Sequence, residues 1–395
     1  MDAAELDALL TPEALRLLDG LPPLPSTGDV ARTVSQLRAA GHSPDLVSAV
    51  VGQARLRMRA QAKFGPFAQR MLFTRAGLEQ ATRLPIAARH AGRLRDAGIG
   101  SVADLGCGIG GDALGFAGLG LRVHAVDADP VTAALAAYNL APFGSEVTVV
   151  NGLAEQAPLD GIDAVWLDPA RRTAGHTETE RVRASDYTPS LDWCFALAQR
   201  MPAGIKLGPA FDRSLIPDDV EAQWISADGS TIECVLWSGR LARDGIRRAA
   251  LVTRGQDAWE LTAAADADDE PVRELGAFLH EPAGAVIRAR LIGEVARSLE
   301  AGMLAPGIAY LTGDAEATSP FAASFRVREV LPADVKALGS ALRARGVGTL
   351  EIKKRGVDLD PAVLRTKLKL RGDESATLVV TRVGGRRIAI LCDRV

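Results

Sequence analysis

The sequence predicts an α/β protein: a parallel, Rossmann-like sheet bearing a nucleotide-binding turn, preceded by a helical region and followed by an α+β region. Three observations lead there. An apolar run ends in an acid and three alternate glycines, Asp104-Leu-Gly106-Cys-Gly108-Ile-Gly110, with a helical stretch behind it. A second apolar run, residues 122–126, ends in Asp127, and a third, residues 162–167, ends in Asp168-Pro169. Glycines at the mouth of a βαβ unit let backbone pass close to a bound nucleotide, where a Cβ would collide. An acid roughly 20 residues further on suits the vicinal hydroxyls of a ribose.

Taken in order, residues 1–98 read as helical. Thr11-Pro12-Glu13 is a helix start, with threonine as cap and proline at the first helical position. A longer helix is expected over 44–64, where Leu46, Val47, Val50, Val51, Ala54 and Met58 recur at helical spacing. Arg55, Arg59 and Lys63 form a basic stripe on it, either a solvated face or a surface for nucleic acid. Residues 71–82 join this region to the core, and Phe73, Gln80 and Thr82 there either approach the site or pack.

The core is expected over 99–255. Strands at 101–105, 122–126, 146–150, 164–167 and 204–207 alternate with helices at 113–119, 130–140 and 190–200, and residues 231–237 and 249–253 form a closing antiparallel pair. An acidic linker, 266–270, follows. Beyond it come an amphipathic helix over 285–300, strands at 310–312 and 325–330, a helix over 332–345 ended by Gly346, a strand at 349–353 and a helix from its Asp360 cap to 370. The last element is a hairpin, 376–383 with 386–392, around the tight-turn pair Gly384-Gly385.

Gly106-x-Gly108-x-x-Gly111 alone also satisfies a dinucleotide fingerprint. Asp104, two residues before the first glycine, is placed to face the ammonium of a methionine moiety. Together Asp104-Leu-Gly-Cys-Gly-x-Gly110, Asp127 and Asp168-Pro169 resemble the motifs of class I S-adenosylmethionine-dependent methyltransferases. The strings Leu350-Glu-Ile-Lys-Lys-Arg-Gly-Val-Asp358, Leu364-Arg-Thr-Lys-Leu-Lys-Leu-Arg-Gly372 and Val379-Val-Thr-Arg-Val-Gly-Gly-Arg-Arg387 resemble the THUMP-like domain that ends a bacterial, largely actinobacterial, group of that class. The resemblance covers nearly the whole chain. It implies a seven-stranded class I core, a ferredoxin-like segment over 273–330 and a THUMP-like domain over 331–395. It also implies S-adenosylmethionine as cofactor, held by Asp104, Gly106, Gly108, Gly110, Asp127, Ala128, Leu153, Ala154 and Asp168, with no metal. Because THUMP domains occur in RNA-modifying enzymes, it implies RNA as substrate.

Asp168-Pro169-Ala170-Arg171 departs from the Asp/Asn-Pro-Pro-aromatic string of amino-directed nucleic-acid methyltransferases. In those enzymes the carboxylate or amide and a backbone carbonyl accept hydrogens from an exocyclic amine, and the ring stacks on the extruded base. Here Arg171 stands where the ring would. Stacking then falls to its guanidinium plane or to Phe73, Trp166 or Tyr187; alternatively Arg171 and Arg172 clamp a phosphate. Enzymes that methylate carbon-5 of uracil carry Asp-Pro-Pro-Arg and a nucleophilic cysteine followed by asparagine and proline. None of Cys107, Cys194, Cys234 and Cys392 has that context. The expected reaction is therefore methyl transfer to a base nitrogen of rRNA or tRNA, with Asp168, Pro169 and Arg171 at the reacting end. The alternatives are an RNA-binding or assembly protein without catalysis and a small-molecule methyltransferase.

The net charge of −3 hides an uneven distribution: +4 over residues 1–100, −15 over 101–324 and +8 over 325–395. Basic ends around an acidic middle suit a polyanion held by the flanks, with Lys353, Lys354, Arg355, Arg365, Lys367, Lys369 and Arg371 as candidate phosphate contacts. No apolar stretch approaches the roughly 18 residues that span a bilayer, and the first residues lack a basic signal start. Four dispersed cysteines without a CxxC pair suggest neither a disulfide framework nor a zinc site. A cytoplasmic protein away from membranes is expected; nothing in the sequence fixes its oligomeric state.

Overall fold

A computed structural model describes residues 1–171 and 186–395; Arg172 and the side chain of Arg171 lie outside the described parts. The chain divides into two units, residues 1–207 with 236–242 and residues 208–235 with 243–395.

The first unit opens with α1 (Ala3–Leu9), α2 (Pro12–Gly20), α3 (Thr27–Ala39) and α4 (Pro44–Phe64). Each starts where its sequence supplies a cap: the side chains of Asp2, Thr11, Ser26 and Ser43 each accept a first-turn N–H, and Ser26 with Asp29 completes a capping box. The buried face of α4 includes two polar residues, Gln53 and Arg57. Both bond to an extended segment: Gln53 donates to the Phe73 carbonyl at 2.7 Å and accepts the Phe73 N–H at 3.0 Å, and Arg57 Nε donates to the Met71 carbonyl at 2.9 Å. Asn139 brackets Leu72 in the same way, at 2.7 and 3.0 Å. Pinned by three buried polar side chains, this segment holds Phe73 in the core against Phe64, ring centroids 5.8 Å apart. Phe73 therefore packs and offers no face to a base.

From there the chain enters α5 (Arg75–Gln80) and α6 (Leu84–Asp96), then β1 (Ser101–Leu105), α7 (Gly111–Gly118), β2 (Arg122–Asp127), α8 (Pro130–Leu140), β3 (Val147–Asn151) and β4 (Ala164–Leu167). A two-residue ladder of β5 (Ala170–Arg171) with β6 (Tyr187–Thr188), then α9 (Leu191–Ala198) and β7 (Ala203–Leu207) follow. The strands run in parallel in the order β3-β2-β1-β4-β7. The order reverses between β1 and β4, which opens a crevice at their carboxyl ends. Trp166 of β4 is fully buried, with His90, Phe116 and Trp237 at centroid distances of 4.5, 5.6 and 5.6 Å. Trp166 and Tyr187, both buried, are thus core residues and not free stacking platforms.

The second unit holds β8 (Glu221–Ala227), most of β9 (Ser230–Ser238), β10 (Arg248–Arg254) and β11 (Asp257–Ala263). The expected pairing of 231–237 with 249–253 is not formed: β10 pairs in parallel with β8 and antiparallel with β11. All of β8 is buried, its polar Glu221, Gln223 and Ser226 included, so its polar residues mark no solvated face. Asp228 and Gly229, both at positive φ, make the tight turn into β9.

A second sheet has the order β13-β14-β12-β15-β18-β17-β16, built from β12 (Phe278–Pro282), β13 (Gly302–Ala305), β14 (Ile308–Gly313), β15 (Ala322–Leu331), β16 (Val347–Lys354), β17 (Glu374–Val383) and β18 (Arg386–Arg394). The helix expected over 285–300 is two, α10 (Gly284–Arg288) and α11 (Ile292–Ser298), broken where Arg290 takes a φ of 59°. The break brings Gly293 against the Asp268 carbonyl, where a Cβ would stand 1.8 Å from the oxygen. α12 (Val335–Ala344) and α13 (Pro361–Leu368) complete the unit, and Gly384 and Gly385, both at positive φ, form the β17–β18 turn as expected.

Gly204 of β7 lies under Trp166, and a Cβ there would stand 2.5 Å from the indole. Gly204→Ala should destabilise the fold by about 1–3 kcal/mol through overpacking, read as a lower urea midpoint at unchanged slope.

Candidate active site at the carboxyl ends of β1, β2 and β4

The turn after β1 is shaped by backbone needs. Gly106, Gly108 and Gly110 all take positive φ (91°, 56° and 86°). A Cβ on Gly106 would lie 2.9 Å from the Asp168 carbonyl, so that glycine lets the end of β4 close over the turn. At Gly108 no atom lies within 4 Å of the Cβ position, leaving the turn open on that side. Asp127, at the tip of β2, accepts the Gly108 N–H through Oδ2 and the Asp129 N–H through Oδ1, both at 2.9 Å. Burial raises its carboxyl above the ordinary value despite these bonds. Asn151 Nδ2 donates to the carbonyls of Asp127 and Ala128, fixing the loop after β2 to the end of β3. Leu153 leaves 48% and Val150 38% of its surface exposed, while Ala154 is half-buried.

Asp104 lies beneath this turn, 1% exposed, and neither carboxylate oxygen has a hydrogen-bond partner among the described residues. Burial, then the neighbouring carboxylates Asp112, Asp168 and Asp127, push its pKa well above the ordinary value, against the pull of Lys206.

Asp168, at the carboxyl end of β4, is held by residues the sequence reading did not connect. Lys206 of β7 stands 2.5 Å from Asp168 and 3.2 Å from Asp112, and donates to Thr82 Oγ1 at 2.9 Å. Asp112, in the first turn of α7, also accepts from Thr82 at 2.7 Å and meets His90 Nδ1 at 2.9 Å. Burial alone would raise the Asp112 pKa, but Lys206 first, then His90 and Thr82, hold it far below the usual carboxylate range. Asp168 keeps 38% of its side chain exposed, against 11% for Lys206 and 7% for Asp112, so it alone of the three presents a face to the crevice. Pro169 is buried behind it. The one signal for Lys206 was a lone cation within an apolar strand; His90 and Asp112 carried none. Thr82 is at the site, whereas Gln80 is exposed on α5.

The basic residues of the second unit are sorted differently. Lys353 pairs with Glu281 at 2.6 Å and Glu351 at 3.4 Å, and Arg355 with Glu281 at 3.5 Å, so both are half-buried and neutralised. Arg365 donates to the Leu350 carbonyl at 3.2 Å. Arg365, Lys354, Lys367, Lys369 and Arg371 are all exposed.

Because the folded-state pKa of Asp104 lies above its unfolded value, the folded protein binds the extra proton and stability falls as pH rises between the two values. Asp104→Asn should remove that loss. The variant should gain stability relative to wild type as pH rises from about 4, most at neutral pH, in urea unfolding at a series of pH values.

Residues 322–394 match the THUMP domain-like family, and residues 2–60 match a domain of unknown function. The chain is 34% identical over 337 residues to an uncharacterised S-adenosylmethionine-dependent methyltransferase found in two strains of Mycobacterium tuberculosis, covering 83% of this chain and 91% of the relative. A crystal structure from Porphyromonas gingivalis W83, provisionally assigned as a methyltransferase, is similar over 100% of this chain and 99% of its own, with a TM-score of 0.73 at 21% identity, which shows a shared fold. Among the described residues, no helix is long and apolar enough to cross a membrane. With a third of its residues shared along most of its length, and a glycine turn, Asp127 and the Asp168-Pro169 end arranged around one crevice, the chain belongs to the S-adenosylmethionine-dependent methyltransferases.

Proposed function

We propose that the protein methylates a base nitrogen of RNA, with S-adenosylmethionine in the turn between β1 and β2 and Asp168 at the reacting end. The observation that carries this reading is the position of Asp168: its carbonyl closes on Gly106 of the turn, while its carboxylate, held by Lys206, keeps a face open to the crevice. Donor cradle and acceptor carboxylate are therefore contiguous.

The residues fit the cofactor. Asp104 offers two buried, unpartnered acceptor oxygens, the counterpart of an ammonium with three donors. Asp127 is oriented by two backbone N–H groups to receive a pair of hydroxyls. Exposed Val150, near the end of β3, and Leu153, just beyond it, supply an apolar surface for the flat face of adenine. When bound, the cofactor supplies an electrophilic methyl group on a sulfonium; the chain's residues hold and orient. An amine on an aromatic base is a poor nucleophile because its lone pair is delocalised into the ring. Hydrogen bonds from it to Asp168 and a neighbouring carbonyl favour the geometry in which that pair points at the donor, and Lys206 fixes the carboxylate that accepts them.

Nitrogen rather than carbon is supported by the thiols. All four cysteines are buried. Burial pushes Cys194 and Cys392 up to about 12 and raises Cys107, beside Asp104 and Asp127, well above its ordinary value. None is poised as a thiolate nucleophile. RNA as substrate is supported by the THUMP-like match and by the exposed cations Lys354, Arg365, Lys367, Lys369 and Arg371.

Radiolabel transfer from S-adenosylmethionine into RNA, protein and small-molecule fractions tests the reading, with mass spectrometry of digested RNA to place the methyl on nitrogen. Label in another fraction, or on carbon, overturns it. Asp168→Ala should lower turnover by about 10²–10⁴ while cofactor affinity holds. Asp127→Ala should weaken cofactor binding by about 1.5–3 kcal/mol in calorimetric titration.

A further inference from the structure

The glycine turn after β1 is open at Gly108 and closed at Ile109, Gly110 and Gly111. Asn139, in the last turn of α8 and 4% exposed, donates through Nδ2 to the Ile109 carbonyl at 2.9 Å and to the Leu72 carbonyl at 3.0 Å. Its Oδ1 accepts the Leu72 N–H at 2.7 Å. Both amide hydrogens are thus spent on backbone carbonyls, one in the turn and one in the segment pinned by α4. Ile109 precedes α7, so its carbonyl lies outside that helix's own ladder and takes its hydrogen from another element.

Packing joins the same parts. The Ile109 side chain is buried, and Gly77 of α5 lies so near it that a Cβ would stand 2.7 Å from Ile109 Cγ2. Gly110 packs on Leu140, the neighbour of Asn139 on α8, where a Cβ would meet Cδ1 at 3.0 Å. Gly111 packs on Ala81 and Thr82, with the Thr82 nitrogen 3.4 Å from its Cβ position. Residues 71–82 and the end of α8 therefore wall the closed side of the turn. A turn with three glycines at positive φ has many conformations to lose, and a fixed wall reduces what a ligand must order on binding.

We propose that Asn139 is a positioning residue for the cofactor: by tying the Ile109 carbonyl to Leu72 it holds the glycine turn in its binding shape, with residues 71–82 as the outer wall of the cofactor site. The proposal rests on the reading that places S-adenosylmethionine in this turn. Because its amide is spent on protein backbone, Asn139 acts through the turn. Gln53 supplies the contrast, since it bonds the same segment and has both of these bonds at Phe73. Coupling of this kind is reciprocal, so a ligand that settles the turn also settles the segment.

The test is calorimetric titration of S-adenosylmethionine into the full-length wild type, Asn139→Ala and Gln53→Ala, at a temperature where all three keep the wild-type circular dichroism. Loss of the hydrogen bond that holds the turn should weaken affinity about 3- to 10-fold in Asn139→Ala. Gln53→Ala, whose segment is still held by Arg57 and Asn139, should keep the wild-type affinity. Hydrogen exchange gives a readout that a purely structural role leaves unmoved: the ligand should slow exchange at Leu72 and Phe73 in the wild type and not in Asn139→Ala. Should Asn139→Ala fail to fold, Gly77→Ala presses on Ile109 from α5 with Asn139 intact, and it should weaken affinity too. Wild-type affinity in the folded Asn139→Ala, or in Gly77→Ala where that variant stands in for it, overturns the proposal alone if Asp127→Ala binds weakly. Equal weakening in Asn139→Ala and Gln53→Ala overturns it as well. Wild-type affinity in Asp127→Ala together with Asn139→Ala overturns the placement of the cofactor in the turn.

Discussion

The buried charge of Asp112 is what the network at the carboxyl end of β4 depends on. It sits in the first turn of α7, beside the glycine turn, and takes its partners from three other places: His90 of α6, Thr82 and Lys206 of β7. A carboxylate this buried is tolerable only with such compensation, and removing one partner from a buried pair typically costs about 3–5 kcal/mol. Lys206 passes the constraint on, because the ammonium that satisfies Asp112 also holds Asp168. The His90 ring is in turn seated against Trp166 of β4, two residues before Asp168. Packing and charge thus fix one carboxylate from two sides.

The same linkage explains why helices precede the sheet in this unit. Gln53, Arg57 and Asn139 pin residues 71–73 by backbone hydrogen bonds, and the chain leaves that anchor through α5 to deliver Thr82 to Asp112. Gly115 lets α7 approach the Ala87 backbone on α6 to a distance that a Cβ, at 2.7 Å, would forbid. That close crossing brings His90 within reach of Asp112.

In the second unit, charge is spent largely on internal structure. Glu281 of β12 takes both Lys353 and Arg355 from the end of β16, and Glu351 takes Arg394. Lys353 and Arg355 are thus part of the sheet's own scaffold, whereas Lys354 at the end of β16, Arg365 and Lys367 on α13, and Lys369 and Arg371 after it are exposed. The charge of +8 over 325–395 was readable from composition, whereas its division into paired and exposed groups depended on which strands lie side by side.

What the sequence by itself determined was whatever depends on local backbone chemistry. The glycines at positive φ after β1, the acids that end β1, β2 and β4, the helix caps at Thr11 and Ser43 and the Gly384-Gly385 turn are all demands of a few consecutive residues. Where local pattern was misleading, the reading failed: β8 carries polar Glu221, Gln223 and Ser226 although both of its faces are buried, and the apolar spacing over 285–300 hides a break at Arg290. Only the tertiary structure decided that Lys206, Asp112, His90, Thr82 and Asp168 form one network, and that Asn139 joins Ile109 of the glycine turn to Leu72. The physical reason is that Coulomb and hydrogen-bond energies depend on distance in space. Partners separated by 22 to 124 residues along the chain meet only once helices have crossed and strands have been ordered.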